Sequence, residues 1–312
     1  MTRKVLVTGG AGYIGSVLVP ALLAEGHSVT VLDNFHYSQT SLLEVCADER
    51  LRIVRGDARE ESVLAPLVKE ADVLIPLAAL VGVPACDADP VGAKTINHDA
   101  LRLLISLRSA SQNLIFPCTN SGYGIGQKDR YCTEETPLKP ISLYGRTKVD
   151  AEKAVLDTGT AVSLRFATVF GASPRMRTDL LVNDFVLRAV RDGAVVLYEA
   201  HAKRNYLHVR DAVRAFLHAL QHYETLAGGP YNVGLSDANL SKKELCERIK
   251  LHVPRFTFLE APVGRDPDQR DYIVSNEKIE KTGFKPRHSL DDGIRELIRV
   301  YQILRTSSYG NA

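Results

Sequence analysis

The sequence has little from which to build a cross-linked or metal-stapled scaffold. Its five cysteines, Cys46, Cys86, Cys118, Cys132 and Cys246, are odd in number and scattered, with no C-x-x-C pair. That pattern argues against both a disulfide framework and a zinc site and reads as reduced thiols. His218 and His222 lie four residues apart, but no glutamate stands beside them as in H-E-x-x-H, so no metal is expected there. Long apolar runs are missing too. The longest, residues 73–86, is too short to span a bilayer and contains Pro76 and Pro84. No signal-peptide core precedes the first apolar strand, which follows Thr2, Arg3 and Lys4 directly. The expectation is a cytoplasmic chain without a membrane partner. Nor is one sign of charge in excess. Lys and Arg number 39 against 37 Asp and Glu, and the signs are interleaved. No basic stripe for nucleic acid is visible.

What is present is a regular alternation. The 312 residues suit one large or two closely joined domains. Short β-branched or apolar runs at 4–8, 28–32, 51–54, 71–75, 113–117 and 161–166 predict strands. Apolar-periodic segments predict helices between them, at 14–24, at 91–109 and at 142–157. Strand alternating with helix predicts an α/β fold, a doubly wound parallel sheet with both faces covered. After Gly171 the rhythm changes and Pro174, Pro230, Pro254, Pro262, Pro267 and Pro286 punctuate shorter elements. The expected division is a Rossmann-type domain over 1–170, rejoined at about 209–233, and a smaller α/β substrate domain over 171–208 and 234–312.

Gly9, Gly12 and Gly15 are spaced G-x-x-G-x-x-G between the first strand and the first helix. In such a turn Gly9 permits the tight bend, Gly12 a close approach of a pyrophosphate, and Gly15 close packing of helix on strand. The helix N-terminus offers N–H groups and partial positive charge to phosphates. Tyr13 and Ile14 lie in the same turn. Asp33 closes the second strand, where a carboxylate accepts from a ribose diol and repels a 2′-phosphate, so NAD is expected over NADP. Asn34 follows it. Asp57 and Ala58 after the third strand, and Leu77, Ala78 and Ala79 after the fourth, are the further positions expected near the cofactor.

Tyr144 and Lys148 form Y-x-x-x-K, which puts both on one helix face. A phenol is too weak an acid to act as a base at neutral pH, and a neighbouring ammonium favours its phenolate. Tyr144 could then take the proton of a hydroxyl as hydride leaves for a nicotinamide. Thr119, at the end of the fifth strand, is the candidate for orienting the reacting oxygen, with Ser121 as the alternative hydroxyl. Glu134 and Glu135 read as solvated loop acids. Arg175 and Arg177 read either as facing substrate phosphates or as solvated loop charges.

Together GGAGYIG at 9–15, Asp33, the T-x-x-x-Y-G segment at 119–124 and YGRTK at 144–148 resemble the extended short-chain dehydrogenase/reductases of the NAD-dependent sugar-nucleotide epimerase/dehydratase group. The segment 204–211 is similar to that group's R-D-Y-I-H-V-x-D. Within the group, TNSGYGIG, SPRMRTDLLVNDF, RNYLHVRD and DPDQRDYIVSN are most similar to GDP-heptose 4-dehydrogenases of bacterial surface-polysaccharide pathways. The resemblance implies Thr119, Tyr144 and Lys148 as the catalytic set, and Asn183, Arg204 and Arg265 as contacts of the nucleotide-sugar diphosphate. It implies oxidation at C4, with a 4-epimerase as the alternative, and a homodimer formed through helices 91–109 and 142–157. A non-catalytic NAD sensor is the reading from another class, and it has no need of the Tyr144 proton shuttle. Two departures stand out. Asn120 and Ser121 occupy the places of the Asp-Glu pair of the 4,6-dehydratases, and Thr168 replaces a usual Asn.

Overall fold

In β1 (Lys4–Thr8), Val5 and Val7 enter one hydrophobic core and Leu6 another. That is the period-two alternation of a strand covered on both faces. The computed structural model describes residues 2–264 and 270–304. Along the chain follow α1 (Gly15–Ala24), β2 (Ser28–Asp33), β3 (Leu51–Arg55), α2 (Glu61–Glu70), β4 (Val73–Pro76) and α3 (Val83–Ala88). Next come α4 (Pro90–Lys94), α5 (Ala100–Leu107), β5 (Asn113–Thr119), β6 (Tyr131–Cys132), α6 (Leu143–Leu156) and β7 (Val162–Phe166). The rest comprises β8 (Thr168–Phe170), α7 (Leu181–Arg191), β9 (Ala194–Leu197), β10 (Lys203–His208), α8 (Val209–Gln221), α9 (Tyr223–Leu226) and β11 (Gly229–Val233). It closes with β12 (Asn239–Ser241), α10 (Lys242–His252), β13 (Thr257–Glu260), β14 (Ile273–Val274), α11 (Glu277–Glu280) and α12 (Leu290–Ile303).

Seven strands form one sheet in the order β11-β7-β5-β4-β1-β2-β3, every neighbouring pair parallel. The expected doubly wound parallel sheet is therefore observed. Its order reverses at β1, which lies between β2 and β4, and such a reversal opens a crevice at the carboxyl ends of the strands. Helices α1 and α8 pack together over one face, while α2, α5 and α6 cover the other.

After β7 the chain builds a second core from α7, α10, α12 and the small sheets β12-β10-β8 and β13-β9. It returns to the large sheet through α8, and β11 pairs with β7. Asp211 of α8 is wholly buried and fastens the later chain, accepting from the Arg287 and His288 amides at 2.9 and 2.8 Å and from Arg214 at 3.0 Å. Glu296 of α12 accepts from the Ala172 amide at 2.9 Å, bonds His208 at 2.8 Å and meets Arg210 at 3.2 Å. No helix among the described residues is long and apolar enough to cross a membrane.

The sequence predicts one helix over 91–109. The structure corrects this: α4 and α5 are separated by a π-helical turn, Thr95–Asp99. The physical reason is Asn97, whose amide accepts from the Leu80 N–H at 2.7 Å and donates to the Leu80 carbonyl at 2.9 Å and Thr147 Oγ1 at 3.2 Å. The wider turn aims this side chain at the loop after β4 and at α6, as π-turns at functional sites often do.

Candidate active site

The glycine turn after β1 is shaped by close approach. Gly9 has φ +70°, and a methyl there would lie 2.6–2.9 Å from the backbone of Leu77 and Ala78. A methyl on Gly15 would overlap the Gly10 backbone at 2.5 Å. Over Gly12, apart from its chain neighbours, it would meet only the Gly9 carbonyl, at 3.1 Å, among the described residues. This is a cradle with one clear side, which the N–H-bearing end of α1 faces. Tyr13 is buried and its hydroxyl donates to the Gly171 carbonyl at 2.7 Å. Ile14 caps α1 from the helical region of backbone space.

Asp33 ends β2 almost buried. Its carboxylate accepts from the Ala11 amide at 3.0 Å, the Phe35 amide at 2.8 Å and Gln39 at 3.2 Å. Burial raises its pKa against the pull of these bonds. Asn34 is exposed and accepts from the His36 amide at 3.0 Å. Asp57 is paired with Arg59 at 2.6 Å, which lowers its pKa, and Ala58 follows it. Leu77 and Ala78 donate to the Thr8 carbonyl and hydroxyl at 2.9 and 3.4 Å, and Ala79 continues the same half-buried loop. These residues fit a dinucleotide. The clear side of Gly12 would take the pyrophosphate, and Asp33 beside it would take the ribose diol.

On the other side of the crevice, Thr119 ends β5 and caps a 3-10 turn, Asn120–Tyr123. Its hydroxyl accepts from the Ser121 amide at 3.1 Å and donates to Ser121 Oγ at 2.9 Å. Ser121 Oγ in turn accepts from Arg270. Ser142 caps α6 through the Gly145 amide at 3.1 Å and so starts the helix that carries Tyr144 and Lys148. Lys148 is 4 % exposed, with Nζ 4.1 Å from the centre of the Phe116 ring. Burial pushes its pKa down to about 8. Burial raises that of Tyr144, against the positive charges of Arg270 and Arg177. In both cases removal from water disfavours the charged form.

A buried ion pair holds α6 in place. Glu152, one turn beyond Lys148, accepts from Arg165 Nε at 3.0 Å and Nη2 at 2.8 Å, and from Ser163 Oγ at 2.5 Å. Arg165 also donates to the Tyr123 hydroxyl at 3.1 Å, which donates to Asn232 at 2.7 Å. One network thus ties the 3-10 turn, α6, β7 and β11. Glu134, expected as a solvated acid, instead accepts from the Asn232 amide at 2.7 Å, and burial raises its pKa. The sequence hint for this network was an arginine inside the apolar run AVSLRF.

The expected substrate contacts are placed as follows. Asn183 is wholly buried; it accepts from the Gly171 amide at 3.0 Å and donates to the Arg177 carbonyl at 2.7 Å. Arg204 of β10 is 2 % exposed, with its guanidinium 5.9 Å from the centre of the Tyr272 ring and donating to the Lys203 carbonyl at 3.0 Å. Arg265 lies outside the described residues. Sequence reasoning missed Tyr206 and Arg270. Tyr206 shares a face of β10 with Arg204 and is in register with Thr168. The hydroxyls of Tyr206 and Thr168 and the amide of Asn120 are buried without a hydrogen-bond partner among the described residues. Buried polar atoms are costly unless something satisfies them. Arg270 is a charged neighbour of both Tyr206 and Tyr144, and so bridges the two groups.

Comparison with known proteins places this arrangement. Residues 5–234 match the model of the NAD dependent epimerase/dehydratase family. The chain is 31% identical to a UDP-glucose 4-epimerase of Corynebacterium glutamicum, over 92% of each chain. It is also 31% identical to a dTDP-glucose 4,6-dehydratase of Mycolicibacterium smegmatis, over 92% of this chain and 84% of that one. Among solved structures it is similar to Thermus thermophilus UDP-glucose 4-epimerase complexed with NAD, with TM-score 0.82, 26% identity and 96% and 99% of the two chains covered. It is likewise similar to the dTDP-glucose 4,6-dehydratase of Streptomyces venezuelae with NAD bound, with TM-score 0.84, 26% identity and 97% and 98% coverage. With the parallel sheet, the glycine cradle and Asp33 in place, the chain belongs to the NAD dependent epimerase/dehydratase family and is an NAD-dependent enzyme.

Proposed function

We propose that this enzyme oxidises the C4 hydroxyl of a nucleotide-linked sugar, in the manner of the GDP-heptose 4-dehydrogenases. The observation that carries this reading is the turn after Thr119. Asn120 and Ser121 stand where a dehydratase of the resembling group needs an acid and a base, and neither side chain can supply that proton transfer. Tyr144 takes the hydroxyl proton. In this reading Lys148, buried four residues further along the same helix, favours the phenolate by its charge. Thr119 orients the reacting oxygen, and Ser121 holds the neighbouring hydroxyl through its bond to Thr119. NAD supplies the hydride acceptor when bound. Residues 9–15, Asp33, Asn34, Asp57, Ala58 and 77–79 hold it. Asn183, Arg204 and Arg265 serve the substrate diphosphate, for which the forked guanidinium is suited. In this reading 1–170 with 209–233 carry the cofactor, and 171–208 with 234–312 the nucleotide sugar.

Mass spectrometry of the enzyme with NAD and GDP-, UDP- or dTDP-sugars tests this directly. A product two mass units lighter supports the dehydrogenase and names its nucleotide. An isobaric product with a new retention time replaces it with the 4-epimerase. Tyr144→Phe should abolish turnover; undiminished activity would sink the assignment of the base. The homodimer is proposed through α4–α5 and α6, and sedimentation at micromolar concentration showing a monomer alone would remove it.

A further inference from the structure

Two buried arginines remain outside the roles given so far. Arg175 and Arg177 are 7 % and 6 % exposed, although both stand on the irregular segment between β8 and α7. This segment belongs to the part of the chain that builds the second core, yet it is bolted across the glycine turn. Tyr13 donates to Gly171, Ser173 Oγ donates to the Tyr13 carbonyl at 2.7 Å and lies 2.8 Å from Ser16 Oγ, and the Arg175 amide donates to Ser16 Oγ at 3.3 Å. Tyr13 and Ser16 bracket the start of α1, and Gly12 forms the clear side of the cradle. The Arg175 guanidinium lies 4.5 Å from the centre of the Tyr37 ring, in the loop that follows Asp33, and donates to the Met176 carbonyl. Arg177 pairs with Asp179, is a charged neighbour of Tyr13, Tyr37 and Tyr144, and reaches the backbone at Gly82 beyond β4. The two cations therefore span the crevice from the Asp33 side to the Tyr144 side, over the N-terminus of α1.

We propose that Arg175 and Arg177 form a clasp that binds the pyrophosphate of NAD from the second core, opposite the glycine turn. The dianion would then be held between N–H groups of the α1 turn and two guanidiniums, one of them partly neutralised by Asp179. The assignment deepens the NAD-dependent reading and rests on it. Of the two alternatives left by the sequence, solvated loop charges do not fit the burial of these arginines.

The test is calorimetric binding of NAD, ADP and adenosine to the wild-type protein stripped of nucleotide, and to Arg175→Gln and the charge-balanced pair Arg177→Gln with Asp179→Asn. Loss of a charge-assisted bond to phosphate should weaken NAD and ADP on the order of 10- to 100-fold, leave adenosine unchanged, and be largely restored in Arg175→Lys. Thermal melting without nucleotide separates this from misfolding. Unchanged NAD and ADP affinity in both folded variants would overturn the clasp. So would a loss confined to UDP, GDP or dTDP binding by the NAD-loaded protein, which would assign the arginines to the substrate diphosphate. A wild-type chain that fails to bind NAD at all would instead remove the cofactor reading beneath it.

Discussion

Lys148 illustrates how one side chain can serve chemistry at the expense of the fold. An unconstrained lysine titrates near 10.4, whereas burial holds this one at about 8. Between those values the unfolded chain keeps the proton and the folded chain has released it. Stability therefore rises with pH across that window and is lowest below it. Lys148→Met should raise the stability of the nucleotide-free protein at pH 7, by up to about 3 kcal/mol. Its advantage should shrink from pH 8 upwards and vanish near pH 10.5, while turnover is lost. Denaturant titrations across pH 6–10 check this, and a destabilised variant at pH 7 would refute it. Gly9 makes the opposite kind of statement. Its φ of +70° and its approach to Ala78 leave no room for a methyl. Gly9→Ala should cost roughly 1–3 kcal/mol and weaken NAD, as melting curves and calorimetry would register.

At the scale of elements, α6 is only as well placed as the Glu152–Arg165 pair that anchors it. Both side chains are under 10 % exposed, and removing one leaves the other charge buried and unpaired. Glu152→Ala should cost about 3–5 kcal/mol in equilibrium unfolding. A cost below 1 kcal/mol would mean that water enters and solvates Arg165. Neither this pair nor its partners Tyr123 and Asn232 can be read from spacing, because they meet across 109 residues or fewer that only the sheet order brings together. The strands and α1 were legible for the opposite reason. Their signals, a β-branched run, a glycine turn and a strand-end acid, are local. The helix expected over 91–109 failed at Asn97, whose partners Leu80 and Thr147 lie elsewhere in the chain and override the 3.6-residue period. Glu134 looked solvated because its partner, the Asn232 amide, is likewise distant.

On the scale of the whole molecule, Glu296 ties α12 to the segment after β8, to the end of β10 and to the start of α8. Burial works against its charge, but bonds from His208 and the Ala172 amide, with the charges of His208 and Arg210, hold its pKa at about 2, against 4.5 when free. A depressed acid stabilises the fold above its unfolded pKa and loses that contribution as pH falls through the folded one. Stability should therefore drop between about pH 4.5 and 2. Glu296→Gln should remove on the order of 2–3 kcal/mol of it at neutral pH and flatten the acid limb. Parallel acid limbs for variant and wild type would locate the acid sensitivity elsewhere.

The late return of the chain to the large sheet has a consequence in time. β7 acquires its outer neighbour β11 only after the excursion through β8, α7, β9, β10 and α8 has been synthesised. At ribosomal rates of 5–20 residues per second, those roughly seventy residues leave the β7 edge open for about 3 to 13 seconds. VSLRF carries one charge against that exposure, Arg165, the residue that later closes on Glu152. A nascent chain arrested just beyond β7 would present a bare, mostly apolar ribbon to any similar strand, so the interval before β11 arrives is when this enzyme most needs a chaperone.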